Sequence, residues 1–408
     1  MNEERKGEEL VQTEPNDTPR KNKKQTNNYW DKVESAYKTA LRVFLIALPV
    51  YVILFAAICW RAFTYESLYT LLKDVRATAS FVSADYQNVS YTYEQGERDV
   101  LAFRGGVAVV SENAVEIYSP SGELSLVKEM QYEMPRAVAS RKFLVVYDWG
   151  QTGFTVASSY TRVHEGTMEY PIYMAEVADT GHFAFVTPSA EDPSRVYLYN
   201  ENCKLIHCFK KEYAVTGVAI SENGSHLAIV GLATTAGKAN TIVEVYRIGD
   251  TTPGTTLRFD GEMPLAIDFT NNRHLSVLTD GALRVVGLDG SEKRSVALDA
   301  SIVAFESNEN GCVALVRTDE LTAEHRVVVL GKKGQLLVND KLHGAVSDVV
   351  YSEEYVFILS GDRLLTLSVK NGELSEIDCG EGATGLVAVD AKRVRVAYAG
   401  EVRLYTVE

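Results

Sequence analysis

Cysteine is scarce, with five in 408 residues, too few for a disulfide-stapled scaffold of this length. Proline stands at 10 and tryptophan at 3, so no proline-rich linker runs through the chain. Basic charge is in deficit: 41 Lys and Arg face 55 Asp and Glu, for a formal net charge of -14. An acidic body repels phosphate backbones, and no basic stripe interleaved with aromatics offsets it. No nucleic-acid partner is therefore expected. Catalytic signatures are missing too: there is no GxSxG elbow, HExxH, GxxxxGK[ST] or CxxC. No catalytic residue, cofactor or metal is expected, and any small-molecule ligand is left open. What remains, 46% apolar and 24% charged residues, is an ordinary globular composition that excludes wholesale disorder.

Only one long apolar run is present, which excludes a multi-span membrane protein. Val43 to Trp60 reads VFLIALPVYVILFAAICW, eighteen residues without a charge between Arg42 and Arg61. As a helix it would cover roughly 27 Å, close to the bilayer hydrocarbon thickness. Pro49 is tolerated there as a kink. Arg20, Lys21, Lys23, Lys24, Lys32, Lys38 and Arg42 precede the run, and the flank beyond it is poorer in bases. The positive-inside bias then places the N-terminus in the cytoplasm. No small-x-small cleavage site follows. The expectation is a signal anchor in the plasma membrane, single pass, embedded in the lipid bilayer through residues 43–60, with an extracytoplasmic C-terminal domain. Residues 1–28 should form a disordered cytoplasmic tail, and 29–61 the juxtamembrane segment and span. Leu68, Leu71, Leu72 and Val75 recur at helical spacing, so 62–79 reads as a helical stalk.

From residue 80 to 408 the texture changes to short runs of alternating Val, Ile, Leu, Tyr and Phe broken by turn residues. One phrase recurs: an apolar strand, a polar turn often ending in Gly, and a second apolar strand. It appears as AEVADTGHFAFV at 175–186, VAISENGSHLAIV at 218–230, AIDFTNNRHLSVL at 266–278 and VAFESNENGCVALV at 303–316, with four looser copies. The copies are anchored on Val107, Phe143, Phe183, Leu227, Leu275, Val313, Tyr355 and Val394, spaced 36 to 48 residues apart with a mean of 41. That period, with four strands per unit, marks a β-propeller blade. The fold class is thus all-β: a single propeller of eight blades of four antiparallel strands, or seven if the irregular second unit is an insertion. The last unit ends at VRLYTVE after its third strand, and SYTYEQ at 90–95 is a spare strand near the beginning. Pairing the two would remove both sheet edges.

The phrase SENGSHLAIV resembles the strand-turn-strand signature of the superfamily holding PD40, WD40 and quinoprotein-like propellers. The whole layout, from the apolar run to the last repeat, resembles a family of uncharacterised bacterial envelope proteins, domain of unknown function 5711. The resemblance implies a membrane-anchored propeller at a bacterial cell surface and implies no activity. WD40 Gly-His and Trp-Asp dipeptides, quinoprotein tryptophans and kelch glycine pairs do not recur here, so none of those relatives' site residues carries over.

Cys203 and Cys208 are five apart, so on one strand they would face opposite ways, while Cys312 and Cys379 lie in different blades; free buried thiols are expected. His182, His226 and His274 precede three core anchors and read as turn-edge residues, not ligands. Glu176 and Asp268 fall seven before their anchors, Asp348 is loosely equivalent, and Arg136 shares the register. First strands line a propeller's channel, so these could form a charged ring. Tyr147, Trp149, Phe154, Tyr160, Tyr170 and Tyr173 crowd the second unit, most of them as core. Trp149, beside Gly150, is the expected exposed one. The partner-binding candidates are therefore Trp149, Tyr147, Glu176, Asp268 and Asp348. The functional expectation is a binding scaffold, without catalysis, for a protein or cell-wall partner in the envelope. The alternatives are a sensor signalling through stalk and tail, and an enzyme with its site at the channel.

Overall fold

The computed structural model describes residues 28–58, 91–93, 99–157, 163–235, 237–298, 301–319 and 323–407. The chain divides into two compact units, Met1–Leu68 and Tyr69–Glu408. In the first, a helix spans Asn28–Ile58 with Pro49 inside it, and its side chains from Glu34 to Tyr51 are exposed. Among the described residues no helix is long and apolar enough to cross a membrane. The apolar run continues past Tyr51, the last helix side chain described, so the expected span to Trp60 lies partly outside the described residues. The stalk over 62–79 and nearly all of the tail over 1–28 lie outside them too.

In the second unit the described strands form eight four-stranded antiparallel sheets, seven of them built from strands consecutive along the chain and the last from three consecutive strands and the early strand Tyr91–Thr92. The innermost strands are Asp99–Phe103, Pro135–Ala139, Met174–Val177, Ala214–Ile220, Pro264–Asn271, Ser301–Asn308, Asp348–Ser352 and Ala383–Asp390. Each touches the innermost strand of the next blade, and the last touches the first, so the ring is closed. The irregular second unit is a complete blade, with Gly153–Ala157 and Val163–Thr167 as its outer pair. The blade number is eight.

Eight apolar clusters hold the ring, one between each successive pair of blades. Phe103, Val110, Ile117, Leu144 and Val146 join the first blade to the second, and Val350, Phe357, Leu359, Val394 and Val396 join the seventh to the eighth. Every sheet is thus covered on both faces, so its second strand carries no polar face. Gly106–Val110, Leu144–Asp148 and Phe183–Thr187 are buried at every position. Each such Val, Leu or Phe contributes about 1.5–3 kcal/mol by leaving water. Outermost strands meet solvent on one face, and Thr255–Asp260 accordingly alternates.

The turns between first and second strands explain the recurrent glycine. Gly181 and Gly224 sit at φ 84° and 63°, where a Cβ is strained. Each amide donates back to the carbonyl three residues earlier, Ala178 at 2.9 Å and Ser221 at 2.8 Å. In the second blade the turn is shorter than in the third: four residues separate Ala139 from its partner Leu144, against five between Val177 and Phe183, and the buried anchor is Leu144 in place of Phe143.

The expected closure is present. Tyr91 and Thr92 pair with Val402 and Glu401 of the strand Glu401–Thr406, supplying the last blade's fourth strand. Arg395 crosses this seam, its guanidinium donating to the carbonyls of Gly105 (3.0 Å) and Gly106 (3.1 Å) and to the Tyr91 hydroxyl (3.1 Å). The Tyr93 hydroxyl adds a bond to the Tyr398 carbonyl at 2.6 Å.

Candidate functional site

The turns joining first to second strands gather at one end of the ring, around a cavity of 480 Å³. Four carboxylates from innermost strands line it, Glu176, Asp268, Glu306 and, at its strand's end, Asp390; Asp390 is taken up by Arg393 at 2.7 Å, which leaves the other three. They occupy matching places. Glu176 faces Ala184, Asp268 faces Ser276 and Glu306 faces Val313, each one pair in from a buried residue of the second strand, Phe183, Leu275 and Cys312 respectively. The spacing that singled out Glu176 and Asp268 also selects Glu306, seven before Val313, which sequence reasoning passed over. Asp348 and Arg136 lie elsewhere. They face Leu359 and Tyr147, two positions further along their strands from the turn, and neither lines the cavity. The Asp348 carboxylate is already committed, accepting the amides of Val349 (2.8 Å) and Leu386 (2.7 Å) and so stitching the seventh blade to the eighth.

Loss of hydration dominates the titration of Glu176, Asp268 and Glu306. It pushes Glu176 up to about 8, with the Asp268 charge adding to it. Asp268 is raised to about 7 by the same cause, opposed by the amide of Phe269 and the hydroxyl of Ser307. Glu306 is raised to about 8, against the bonds it accepts from Tyr351 and Asn308 and with Asp348 and Asp268 nearby. A carboxyl whose folded pKa exceeds its unfolded one binds more protons when folded, so its contribution to stability falls as pH rises between the two values. Stability is expected to decline between about pH 5 and 8. In Asp268→Asn, urea midpoints measured across that range should flatten; an unchanged slope would contradict the assignment.

Above these acids lies Arg141, from the first turn of the second blade. Its guanidinium meets Asp179 at 2.6 Å, Glu222 at 2.6 Å and Glu309 at 3.2 Å, carboxylates of the third, fourth and sixth blades. In an eight-membered ring the second and sixth blades are opposite, so one side chain spans the mouth. Its amide also donates to Asp179 at 2.8 Å. Glu222, hydrogen-bonded to Glu309 and partly buried, is raised to about 7 despite Arg141.

The other end of the ring carries the aromatic candidates. Trp149 is 40% exposed and Tyr173 45%, and their rings meet edge to face at 5.6 Å. Met134, also exposed, shares its carbonyl with the Trp149 amide at 2.9 Å. Gly150, at φ 78°, donates to Ile172 at 2.8 Å and turns the chain so that the indole faces outward. Tyr147 is corrected: it is buried against Phe185 between the second and third blades, so it offers nothing to a partner. Phe154 is core as expected, and Tyr160 lies outside the described residues.

Among the described residues no three His, Cys, Asp or Glu are grouped to hold a metal ion. His182, His226 and His274 take partners inside their own turns: Thr180, Ser225 and Asn271. Cys203, Cys208, Cys312 and Cys379 are free thiols. Cys312 and Cys379 are buried, whereas Cys203 and Cys208 are half-buried. Cys203 sits in a turn at φ 57° and not on the strand Leu205–Lys211 with Cys208.

Fold and site together define a closed eight-bladed β-propeller with an acidic channel mouth at one end and an aromatic rim at the other. Residues 78–403 match the family of unknown function DUF5711, and the chain belongs to it. No curated protein matches the sequence. Among solved structures, BamB from Moraxella catarrhalis is similar at 13% identity and TM-score 0.53, over 77% of this chain and 100% of that one. The C-terminal WD40 domain of Sif2 is similar at 13% identity and TM-score 0.55, over 78% and 99%. Chaetomium thermophilum Sqt1, bound to the N-terminus of ribosomal protein L10, is similar at 13% identity and TM-score 0.54, over 79% and 100%. These likenesses establish the fold.

Proposed function

We propose that this chain is a membrane-anchored scaffold whose propeller stands outside the cytoplasm and binds a protein of the cell envelope without chemistry of its own. The observation that carries the reading is the exposed Trp149–Tyr173 pair on a rigid ring. Tryptophan and tyrosine bring large contact area at little entropic cost, and interfaces concentrate them. Similarity to Sqt1, held with a segment of another protein, supports a protein partner for a propeller of this kind. The anchor rests on the run from Val43 to Trp60, and the orientation on the bases before it.

Crosslinking of the full-length chain in native membranes, followed by identification of what it retains, tests the scaffold. Trp149→Ala is expected to weaken capture by at least about tenfold, as loss of an interface anchor does. Equal capture by a folded Trp149→Ala, Tyr173→Ala double variant would remove this face from the proposal, and no captured protein at all would remove the scaffold. Orientation is read separately. A thiol placed at exposed Lys142 should react with an impermeant maleimide in intact cells; labelling only after lysis would reverse the topology.

A further inference from the structure

Beside the acidic mouth, on the same end of the ring, is a second hollow of 530 Å³ where three bases join three glutamates. Arg273, Lys332 and Lys333 line it, all exposed, and none makes an ion pair among the described residues. On a chain of net charge -14, a concave group of unpaired cations stands against the general field. The hollow is built and not merely decorated. The Lys332 carbonyl accepts the Thr270 hydroxyl at 3.2 Å and the Asn271 amide, and the Lys332 amide donates to Asn310 at 3.1 Å. Arg273 is fixed through its own amide on Asn271 at 2.8 Å and through its carbonyl, which accepts Leu288 at 3.1 Å. Turns of the fifth and sixth blades are thereby locked together, with the charged side chains left outward. His274, on the same wall, registers the positive field: burial first, then Lys293, Lys333 and Arg273 hold its pKa below the ordinary value.

The two hollows share a wall. Glu222, Glu309, Asn310 and Glu353 line both. A ligand lying across them meets cations on one side and carboxylates on the other. At the carboxylate side a guanidinium already sits, that of Arg141, joined to three blades but itself 65% exposed. Exposed ion pairs contribute little each and exchange readily for equivalent ones.

We infer that this end of the propeller docks an extended segment of a partner protein in which a basic residue lies next to acidic ones: the acids seat on Arg273, Lys332 and Lys333, and the base takes the place of Arg141 among Asp179, Glu222 and Glu309. The inference rests on the scaffold reading and gives it a second face, distinct from the Trp149 rim. Arg141 is then a resident competitor that only a segment bearing both charges displaces, because the basic hollow supplies the additional attraction. A purely basic segment is repelled by Arg273 and the two lysines, and a purely acidic one by the channel mouth.

The test uses the full chain and a short labelled peptide carrying one arginine followed by two aspartates, with arginine-only and aspartate-only peptides of equal length. Binding is read by fluorescence anisotropy at physiological ionic strength. The mixed peptide should bind at least about tenfold more tightly than either other. Lys332→Glu with Lys333→Glu should erase that advantage. Arg141→Gln should tighten the mixed peptide several-fold, whereas Lys142→Gln, the same charge change one residue on, should not. Equal binding of all three peptides, or equal effects at residues 141 and 142, overturns the inference. If crosslinking still captures a protein that depends on Trp149 while the mixed peptide gains nothing, the scaffold stands and this docking face falls. If the peptide binds as stated and the captured protein does not depend on Trp149, the Trp149 face falls and this docking face stands.

Discussion

Replacing Glu244 by alanine is expected to destabilise the propeller by about 3–5 kcal/mol, the usual consequence of leaving one member of a buried ion pair alone. Lys211, at the end of the third blade's outer strand, is buried. Its ammonium is paired with Glu244 on the fourth blade and lies 4.5 Å from the Tyr246 ring centre and 5.6 Å from that of Phe209. Glu244 also accepts the hydroxyls of Tyr213 at 2.7 Å and Tyr246 at 2.8 Å. Without the carboxylate, an ammonium and two phenols lose their acceptor together. Burial alone would raise the Glu244 carboxyl, but Lys211 and the tyrosines prevail and hold it below the ordinary value. Its contribution is therefore complete above the unfolded carboxylate pKa and is lost as pH falls through the lower folded value. That limb lies on the acid side, opposite in sign to that of the channel carboxyls. Urea unfolding of Glu244→Ala and of Lys211→Met, Glu244→Leu decides it. The double variant should recover most of the loss. Lys341→Ala, which removes an exposed pair with Glu324, should cost under about 1 kcal/mol. Comparable losses in the two single variants would contradict the account.

The second large effect belongs to the seam. Tyr91→Ala removes a fully buried ring from the cluster of Val107, Val109, Tyr118 and Val402, at about 3–5 kcal/mol. It also takes the hydroxyl from Arg395. Since among the described residues only Tyr91, Thr92 and Tyr93 hold the fourth strand to the last blade, that strand should release before the rest of the ring unfolds. Amide exchange should then accelerate selectively over Glu401–Thr406. The freed edge should make the variant self-associate in light scattering, because unpaired edges recruit strands. Uniform acceleration over all eight blades would place the weakness elsewhere.

Why the fold was readable follows from its packing. A blade covered on both faces must be apolar along its second strand, and the phrase ending in LAIV, FAFV or VALV repeats for that reason. The closing strand was legible because an incomplete last unit and a spare early strand leave no other way to cover both edges. The site was legible only in part. Glu176, Asp268 and Glu306 share one register, but turn length varies between blades, so counting back from Phe143 and Tyr355 led to Arg136 and Asp348. Hydrogen bonds across a turn fix its length, and spacing alone does not reveal them. Arg141 carried no signal, since its three partners lie 38 or more residues away in sequence. Tyr147 and Trp149 are two apart in one aromatic phrase. Only the turn at Gly150 separates the buried ring from the exposed one.

The seam also imposes an order in time. A chain emerging from the ribosome makes Tyr91 long before its partner Val402. Seven blades can assemble in the interval; the eighth cannot, and the early strand waits unpaired until Glu401 and Val402 have emerged. Sealing the ring is therefore the last step of its assembly, and a chain cut short before Glu401 carries two open edges that mark it for the cell's quality control.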